Sequence, residues 1–235
     1  MGHGRVANRL APAVKRGIDI AGAAAALAVL SPVLLLVAAV IRAAMGPPVL
    51  YRQRRPGLRE RPIRVWKFRT MTSARDDQGR LLPDGERLTR VGRVLREYSL
   101  DELPQLINVL AGDLSLVGPR PLLSRYLPRY TARQRRRHAV KPGLTGWAQV
   151  NGRNTLDWES RLELDVWYAE HQSLALDLKI MLLTILRLLQ RHDVRPGAGA
   201  EVDEFWGTQG PPAEGPRALP VEEDERPPAV NMEPA

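Results

Sequence analysis

Two adjacent acidic residues, Asp101 and Glu102, lie between apolar residues in the stretch "YSLDELPQL", within a chain that is otherwise strongly basic. Ser99 and Glu102 have the spacing of a helix capping box, so one interpretation of the pair is purely structural. Pro104 favours another register, because proline is best tolerated at the first position of a helix. In that register both carboxylates lie just ahead of the helix, where its partly positive end favours an ionised acid.

Neighbouring carboxylates of this kind repel each other, which raises one pKa unless a cation lies beside them. Protein-bound Mg²⁺ is usually held by one or two carboxylates, with water and phosphate oxygens in the remaining positions. A magnesium site formed by Asp101 and Glu102, with Glu102 as the main ligand, would therefore suit a diphosphate substrate. Asp101 would then be free to attack phosphorus and form a covalent intermediate.

A site for phosphoryl chemistry also needs fixed positive charge around the group that is transferred. The candidates are Lys67, Arg69, Arg96 and Arg120. Arg120 lies in "GDLSLVGPRP", where a proline on each side stiffens the loop and Gly118 permits close approach of the backbone. A rigid structural turn is the alternative interpretation of Gly118 and Pro119.

The stretch "KPGLTGWAQVNGRN" is typical of a loop throughout and could hold a nucleotide. Trp147 is a candidate for stacking on a base, and the side chains suited to hydrogen bonding are Gln149, Asn151 and Arg153. The stretch matches neither the G-x-G-x-x-G fingerprint nor a Walker P-loop. A dinucleotide-binding or P-loop NTPase fold is therefore not expected.

Length and composition narrow the class of protein. The 235 residues suffice for one main domain, with at most a small second one, and need no disulfides. The absence of cysteine excludes thiolate catalysis, and the four histidines have no zinc-binding spacing. A net charge of +9 predicts an acidic partner, which could be nucleic acid, an anionic membrane or a phosphorylated small molecule. An aromatic content of 5% disfavours a platform for single-stranded nucleic acid.

Residues 20–41 form an uncharged apolar run about as long as the roughly 20 residues that cross a bilayer. Ser31 and Pro32 lie at its midpoint, where the proline favours a kink or break and the serine can satisfy a freed carbonyl. Basic residues flank both ends, which marks both ends as cytoplasmic. A straight span is the simpler interpretation, but these flanks favour a re-entrant helix–break–helix.

The remaining sequence predicts an α+β domain that is mainly helical, with short β elements. Strands are expected near residues 49–51 and 63–68, and helices at 89–97, 104–112, within "TARQRRRHAV", from Thr155 to about residue 170, and at 174–189. The last helix is apolar over most of its circumference, so it would be a core helix or an amphipathic interfacial helix. From Pro211 onward, the acidic and proline-rich composition predicts disorder.

Seven stretches in this order resemble the bacterial sugar transferases known as monotopic phosphoglycosyl transferases. They are "KRGIDI", "LSPVLLL", "YRQRRPG", "KFRTM", "SLDELPQLINVLAGDLSLVGPRPLL", "KPGLTGWAQVNGRN" and "ELDVWY", and they span roughly residues 15–207. With one apolar segment and no large N-terminal extension, the chain is most similar to the small bacillosamine-type enzymes of N-linked glycan assembly. It departs from many members in having no Asp-Ser pair before Gly46.

The resemblance implies transfer of a sugar-1-phosphate from a UDP-sugar to a polyprenyl phosphate, usually undecaprenyl phosphate, with release of UMP. Asp101 would attack the β-phosphate and carry the phosphosugar until the lipid phosphate attacks it, while Glu102 would bind Mg²⁺. The supporting catalytic residues would be Lys67, Arg96 and Asp165. The lipid product would start the synthesis of a polysaccharide or a glycoprotein glycan.

The resemblance also implies how the chain is divided and where it works. It predicts an N-terminal tail (1–14), a re-entrant membrane hairpin (15–45), a cytoplasmic catalytic domain (46–207) and a disordered tail (208–235). The protein would be monotopic in the bacterial inner membrane, with the catalytic domain on the cytoplasmic face. Its partners would be a UDP-sugar, polyprenyl phosphate and membrane lipid, with no nucleic acid. A homodimer stays open, as does the identity of the sugar.

Two other classes of protein stay open from the residues alone. A membrane-anchored basic binding protein would explain the charge and the apolar segment, but not the adjacent carboxylates. A metal-dependent hydrolase of UDP-sugars or polyprenyl diphosphates would use the same carboxylates to activate water. Such a hydrolase would release sugar phosphate and make no lipid product.

Overall fold

The computed structural model describes residues 4–152, 156–190 and 204–207, which form a mainly helical protein with two small two-stranded sheets. The helices in those ranges are α1 (Gly4–Met45), α2 (Asp84–Arg87), α3 (Arg90–Glu97), α4 (Gln105–Ala111), α5 (Ala132–Arg135), α6 (Trp147–Val150), α7 (Trp158–His171) and α8 (Leu174–Gln190). The strands are β1 (Leu50–Pro56), β2 (Pro62–Phe68), β3 (Ser115–Val117) and β4 (Gly143–Thr145). The predicted α+β, mainly helical class is confirmed.

The apolar N-terminal segment forms one helix, α1, which begins before the predicted start at residue 15. Helical structure continues through Ser31 and Pro32, so the expected break does not divide the element. Pro32 has no backbone N–H to bond the carbonyl of Ala28, four residues back. The Ser31 hydroxyl donates to that carbonyl at 2.8 Å, which restores its hydrogen bonding as the sequence predicts.

One face of α1 packs along the globular part of the chain, and the opposite face is uncovered. Between residues 12 and 45, the buried residues of α1 are Asp19, Ala23, Val37 and Ile41. Its first half packs on α4 and β2, and its second half on β2 and α3. On the uncovered side, Val29 is 76% exposed and Leu35 is 72% exposed. The helix is long and apolar enough to cross a membrane, judged by length and composition.

Three charged side chains in the first half of α1 attach it to the globular part. The ammonium group of Lys15 lies 2.6 Å from a carboxylate oxygen of Asp177 on α8. Arg16 donates to two carbonyls in the last turn of α4, at 2.5 and 2.7 Å, where a cation also suits the helix dipole. Asp19 accepts the backbone N–H of Leu116 at 2.9 Å. The stretch "KRGIDI" is therefore an attachment point for the membrane-length helix.

Strands β1 and β2 form an antiparallel hairpin, in the two regions where strands are predicted. Val65 and Phe68 of β2 are both buried, and because they lie three residues apart they project from opposite faces of the strand into two different clusters of apolar residues. Asn108 on α4 extends the hydrogen bonding of β2, because its side chain accepts the N–H of Trp66 at 2.9 Å and donates to the carbonyl of Arg64 at 2.7 Å. The hairpin and α4 are thereby held in a fixed register.

The acidic pair lies in a short 3₁₀ turn, Leu100–Glu102, between α3 and α4. Ser99 makes no capping bond to this turn, so the capping-box interpretation is wrong. Helix α4 follows Pro104 and ends at Gly112, whose φ of 91° is a left-handed conformation that favours glycine. Both limits of α4 agree with the prediction. Its side chains Leu106 and Val109 are buried, and each burial contributes roughly 1.5–3 kcal/mol.

The prediction of a loop throughout "KPGLTGWAQVNGRN" is wrong, because this stretch contains β4 and α6. Strand β4 pairs in parallel with β3, and the N–H of Gly118 donates to the carbonyl of Thr145 at 2.9 Å. A Cβ atom on Gly118 would lie 2.3 Å from the carbonyl oxygen of Lys141. The glycines that suggest a loop instead allow two backbones to pack closely.

Helices α7 and α8 follow α6 along the chain. Helix α7 begins after Asp157, whose side chain accepts the N–H of Ser160 at 2.7 Å, instead of at the predicted cap Thr155, which lies outside the described residues. In α8, Ile180 is fully buried whereas Leu182 and Ile185 are 59% and 56% exposed. Helix α8 is therefore a surface helix with an apolar outer face. The predicted tail, 208–235, also lies outside the described residues.

Candidate active site

Glu102 is the most strongly bound member of the acidic pair. Its carboxylate accepts from Lys67 Nζ at 2.8 Å and from both terminal nitrogens of Arg120, at 2.8 and 2.5 Å. Burial alone would raise the pKa of Glu102, but the charges of Arg120 and Lys67 outweigh it and hold this pKa well below the usual glutamate value. Glu102 is therefore ionised and fixed in place.

Asp101 has the opposite environment. It is only 8% exposed, yet its carboxylate accepts no hydrogen bond from the part of the chain that the structure describes. Burial raises the pKa of Asp101 above the usual aspartate value; the charge of Glu102 acts in the same direction, and that of Lys67 opposes it. A carboxylate with a raised pKa and unbonded oxygens is the better nucleophile of the two. The adjacent acids therefore have different chemical roles.

The cations around the pair come from three separate elements. Lys67 extends from β2 beside the buried Phe68, and Arg120 comes from the proline-flanked loop after β3. Arg96, in the last turn of α3, donates to the Thr70 hydroxyl at 3.1 Å and lies close enough for its charge to lower the pKa of Asp101. The structure thus brings together Lys67, Arg96 and Arg120, as the sequence predicts.

Arg69, the fourth predicted cation, points elsewhere. It donates to the carbonyls of Met45, Gly46 and Pro47, the last two at 2.9 Å. These carbonyls lie at the C-terminal end of α1 and in the turn that follows. In this arrangement Arg69 fixes the exit of the membrane-length helix and makes no contact with the acidic pair.

Asp165 reaches the site through another residue, Arg137. The two form an ion pair at 2.6 Å that is almost completely buried, and the same guanidinium donates to the backbone carbonyl of Arg120 at 2.7 Å. Removing either partner would leave a buried charge unpaired, at a cost of about 3–5 kcal/mol. Arg137 therefore holds the loop that carries Arg120.

Sequence reasoning did not single out Arg137. The available signal was the run of three arginines at 135–137 on a short helix. Because successive helical residues point about 100° apart, all three cannot face solvent when the helix packs on a neighbour. Arg137 is 1% exposed, whereas Arg135 and Arg136 are exposed.

The predicted nucleotide residues that the structure describes contact protein groups other than the acidic pair. Trp147 stacks on Trp167 of α7 with ring centroids 5.4 Å apart, and Lys179 of α8 lies 5.4 Å from its ring. Gln149 donates weakly to the carbonyl of Leu144 at 3.4 Å. Gly118 and Pro119 contribute backbone bonds to β4, and Arg153 lies outside the described residues. Substrate binding by these residues stays a prediction.

A magnesium ion is compatible with the oxygen donors of Asp101 and Glu102, although the structure also balances their negative charge with nearby cations. Lys67 and Arg120 already supply the positive charge that the adjacent acids require. The described residues contain no group of three or more acidic or histidine side chains suited to a metal. The unbonded oxygens of Asp101 and the remaining lone pair of Glu102 fit an ion held mostly by phosphate and water. Mg²⁺ therefore stays a prediction.

Comparison with known proteins identifies the class. Residues 10–191 match the family described as "Bacterial sugar transferase", and the chain therefore belongs to that family. It is 52% identical to the "Uncharacterized sugar transferase EpsL" of Bacillus subtilis (strain 168), over 83% of this chain and 96% of that protein. The family inferred from the seven stretches is confirmed, whereas the bacillosamine-type assignment stays a prediction.

Two other relatives have names that state a reaction. The chain is 43% identical to the "UDP-glucose:undecaprenyl-phosphate glucose-1-phosphate transferase" of Escherichia coli (strain K12), over 77% of this chain and 40% of that protein. It is 39% identical to the "UDP-N-acetylgalactosamine-undecaprenyl-phosphate N-acetylgalactosaminephosphotransferase" of Aeromonas hydrophila, over 77% of this chain and 45% of that protein. The chain thus spans less than half the length of both.

Proposed function

We propose that this transferase moves a sugar-1-phosphate from a UDP-sugar to undecaprenyl phosphate through a covalent intermediate on Asp101. The observation that carries the proposal is the asymmetry of the acidic pair. Glu102 is held by Lys67 and Arg120, while Asp101 is buried among cations with its oxygens unbonded. The names of the Escherichia coli and Aeromonas hydrophila relatives support the donor and acceptor classes.

The chemistry is two displacements at one phosphorus atom. A carboxylate oxygen of Asp101 bonds to the β-phosphorus of the donor, and the bond from that phosphorus to the bridging oxygen breaks, so UMP leaves with the electron pair. A phosphate oxygen of the lipid then attacks the same phosphorus and releases the Asp101 carboxylate. Lys67, Arg96 and Arg120 stabilise the charge that develops on the phosphoryl oxygens. Mg²⁺ held by Glu102 and Asp101 would add positive charge to the diphosphate.

The decisive assay uses purified protein in detergent with Mg²⁺, undecaprenyl phosphate and a panel of UDP-sugars. UDP-glucose and UDP-N-acetylgalactosamine come first, because relatives are named for both sugars. We expect UMP and a lipid-linked sugar diphosphate, and loss of both in Asp101→Asn. Asp77→Asn, at an exposed loop position, is the matched control. Release of sugar phosphate without lipid product would instead indicate a hydrolase, and full turnover by Asp101→Asn would refute Asp101 as the nucleophile.

We also propose that α1, although helical throughout, bends at Ser31 and Pro32, enters the cytoplasmic leaflet of the inner membrane and returns to the same side. The support lies at the two ends of residues 15–45, which both contact one globular body. Lys15 pairs with Asp177 at the first of these ends, and Arg69 binds the carbonyls of Met45 and Gly46 at the second. Because a straight span would place these ends on opposite sides of the bilayer, it could not keep both contacts.

Cysteine labelling tests this arrangement without background, since the chain has no cysteine of its own. Ala13→Cys and Ala44→Cys place thiols at exposed positions near the two ends of α1. In sealed inner-membrane vesicles of known orientation, a membrane-impermeant maleimide should modify both from the cytoplasmic side. Modification of the two from opposite sides would establish a span.

A further inference from the structure

Four residues near the C-terminus, Glu204–Gly207, contact the globular part although they lie beyond residues 10–191 that match the family. Phe205 is 3% exposed and fills an aromatic pocket. The pocket is formed by Tyr126, Tyr130 and Trp158, with ring centroids 5.7, 5.5 and 5.4 Å from that of Phe205. The burial of this ring is that of a core residue.

Charged contacts fix the segment on both sides of Phe205. Glu204 lies 3.0 Å from Arg129 and 3.4 Å from Arg125. Arg129 also donates to the backbone carbonyl of Phe205, and its guanidinium lies 4.3 Å from the ring centre of Trp206. Side chain, backbone and both aromatic rings of the segment therefore have specific partners.

From Phe205, a continuous series of contacts leads to the acidic pair. The ring of Phe205 packs on Tyr130, which lies 5.9 Å from the Arg137 guanidinium. Arg137 is paired with Asp165 and donates to the backbone of Arg120, as described above. Arg120 binds Glu102 through two hydrogen bonds. Phe205 and Tyr130 are both buried. Truncation of Phe205 would therefore have to be accommodated by movement of the side chains packed around it.

We propose that Phe205 is a positioning residue of the active site, which packs Tyr130 against Arg137 and thereby fixes the loop that carries Arg120. Its kinetic consequence rests on the proposed transferase function, whereas its effect on the loop does not. The segment Glu204–Gly207 is then a working part of the catalytic domain, although it lies outside the matched region.

The test compares full-length Phe205→Ala with Phe205→Leu, which keeps most of the buried volume, and with Ile185→Ala, an apolar truncation at an exposed position. Phe205→Ala should lower the melting temperature by roughly 5–10 °C. It should also speed hydrogen exchange in residues 115–123, because the Arg120 loop loses its support. Phe205→Leu should recover most of both effects, and Ile185→Ala should show neither.

The kinetic readout is kcat/KM for the UDP-sugar, measured well below every melting temperature. Phe205→Ala should lower kcat/KM roughly tenfold, because a loosened Arg120 is positioned less well to stabilise the transferred phosphoryl group, and Phe205→Leu should restore most of it. A Phe205→Ala protein that melts like wild type, or that melts lower with unchanged exchange at 115–123, overturns the proposal. If the wild type shows no transferase activity, only the proposed function is refuted. Melting temperature and hydrogen exchange still test the role of Phe205.

Discussion

At the residue scale, the adjacent acids differ because their neighbours differ. Glu102 accepts three hydrogen bonds from Lys67 and Arg120, whereas Asp101 is buried beside the same cations with its oxygens unbonded. Glu102 is thus held in its ionised form, and Asp101 keeps the lone pairs that a nucleophile needs. Equal exposure of the two residues, 8% each, shows that burial alone does not separate them.

Lys67 favours the ionised form of Asp101, since its charge is the largest influence that opposes the effect of burial on the pKa of Asp101. The nucleophile must be ionised, so kcat/KM should rise with pH through the raised pKa of Asp101 and then level off. Lys67→Met removes a charge that lowers this pKa and should move the acid limb to higher pH. It should also lower kcat/KM roughly hundredfold. Pseudo-first-order UMP release between pH 4.5 and 8 measures both.

The matched control for that profile is Lys67→Arg, which keeps the positive charge. We expect its acid limb to stay near that of the wild type, even if the rate falls. An acid limb that is identical in Lys67→Met and wild type would mean that another group governs the ionisation.

Substitution of Arg120 tests whether catalysis needs its two hydrogen bonds to Glu102 and not its positive charge alone. Arg120→Lys keeps the charge but loses one of two hydrogen bonds to Glu102, and we expect kcat/KM to fall about tenfold or more. Arg133→Lys is the control, because Arg133 also binds a glutamate, Glu163, through two nitrogens but at an exposed position. Exposed pairs contribute little, so this variant should keep its activity. Equal rates for Arg120→Lys and wild type would contradict the assigned role.

Sequence alone identified most of the residues that meet at this site. Asp101, Glu102, Lys67, Arg96 and Arg120 were predicted together, and the structure places them together. Arg69 was grouped with them because it is a nearby arginine in a basic run, and only tertiary structure shows that it binds carbonyls at the end of α1. Arg137 was missed for the converse reason, since its basic neighbours suggest an exposed helix.

At the element scale, the positions of the acidic pair and of Arg120 depend on how α4 and β3 begin and end. Pro104 and Gly112 mark the limits of α4 in the sequence, and the structure agrees. The pairing of β3 with β4 was not predictable in this way. Parallel strands join remote segments, and their partner is not encoded in local periodicity. Strands of only three residues, of which β4 begins with glycine, are locally indistinguishable from loop.

Gly118→Ala tests the close packing of these two segments. A methyl group there would lie 2.3 Å from the carbonyl oxygen of Lys141, so the backbone next to Arg120 must shift. We expect a fall of several degrees in melting temperature together with a loss of activity of roughly hundredfold. Gly85→Ala, where nothing lies within 4 Å of the added carbon, should leave both unchanged. A Gly118→Ala enzyme with full kcat/KM would show that the geometry of this loop is not critical.

At the scale of the whole molecule, the membrane-length helix and the C-terminal segment both reach the catalytic elements. Helix α1 packs on β2, α3 and α4, and Phe205 supports the Arg120 loop through Tyr130 and Arg137. Sequence patterns indicated the membrane helix, because its apolar run is long. They did not indicate the aromatic contact, because its partners are separated by long stretches of chain. Side-chain packing between such remote segments needs the tertiary structure.

His138 gives the folded protein a predictable sensitivity to acid. Burial, with the charge of Arg137, lowers the pKa of His138 to about 3, whereas an unfolded histidine titrates near 6.5. Below pH 6.5 the unfolded state therefore binds a proton that the folded state does not, and stability falls as the pH decreases towards about 3. The loss at pH 5 amounts to at most about 2 kcal/mol.

Melting curves of wild type and His138→Gln at pH 7.5 and pH 5 measure this contribution. The melting temperature of the wild type should fall further between the two pH values than that of the variant. Other titrating groups, such as Asp101 and Asp165, are common to both proteins and cancel in the comparison. Parallel falls would mean that His138 is accessible to protonation in the folded state.

The most direct measurement of the central claim is the mass of the peptide that contains Asp101. Purified protein is incubated with Mg²⁺ and the UDP-sugar that it turns over, without lipid acceptor, then quenched in acid and digested. We predict a mass increase of one phosphosugar on that peptide, which disappears when undecaprenyl phosphate is added and is absent in Asp101→Asn. Turnover at the wild-type rate with no adduct on this peptide, or with the adduct on another residue, would contradict the account.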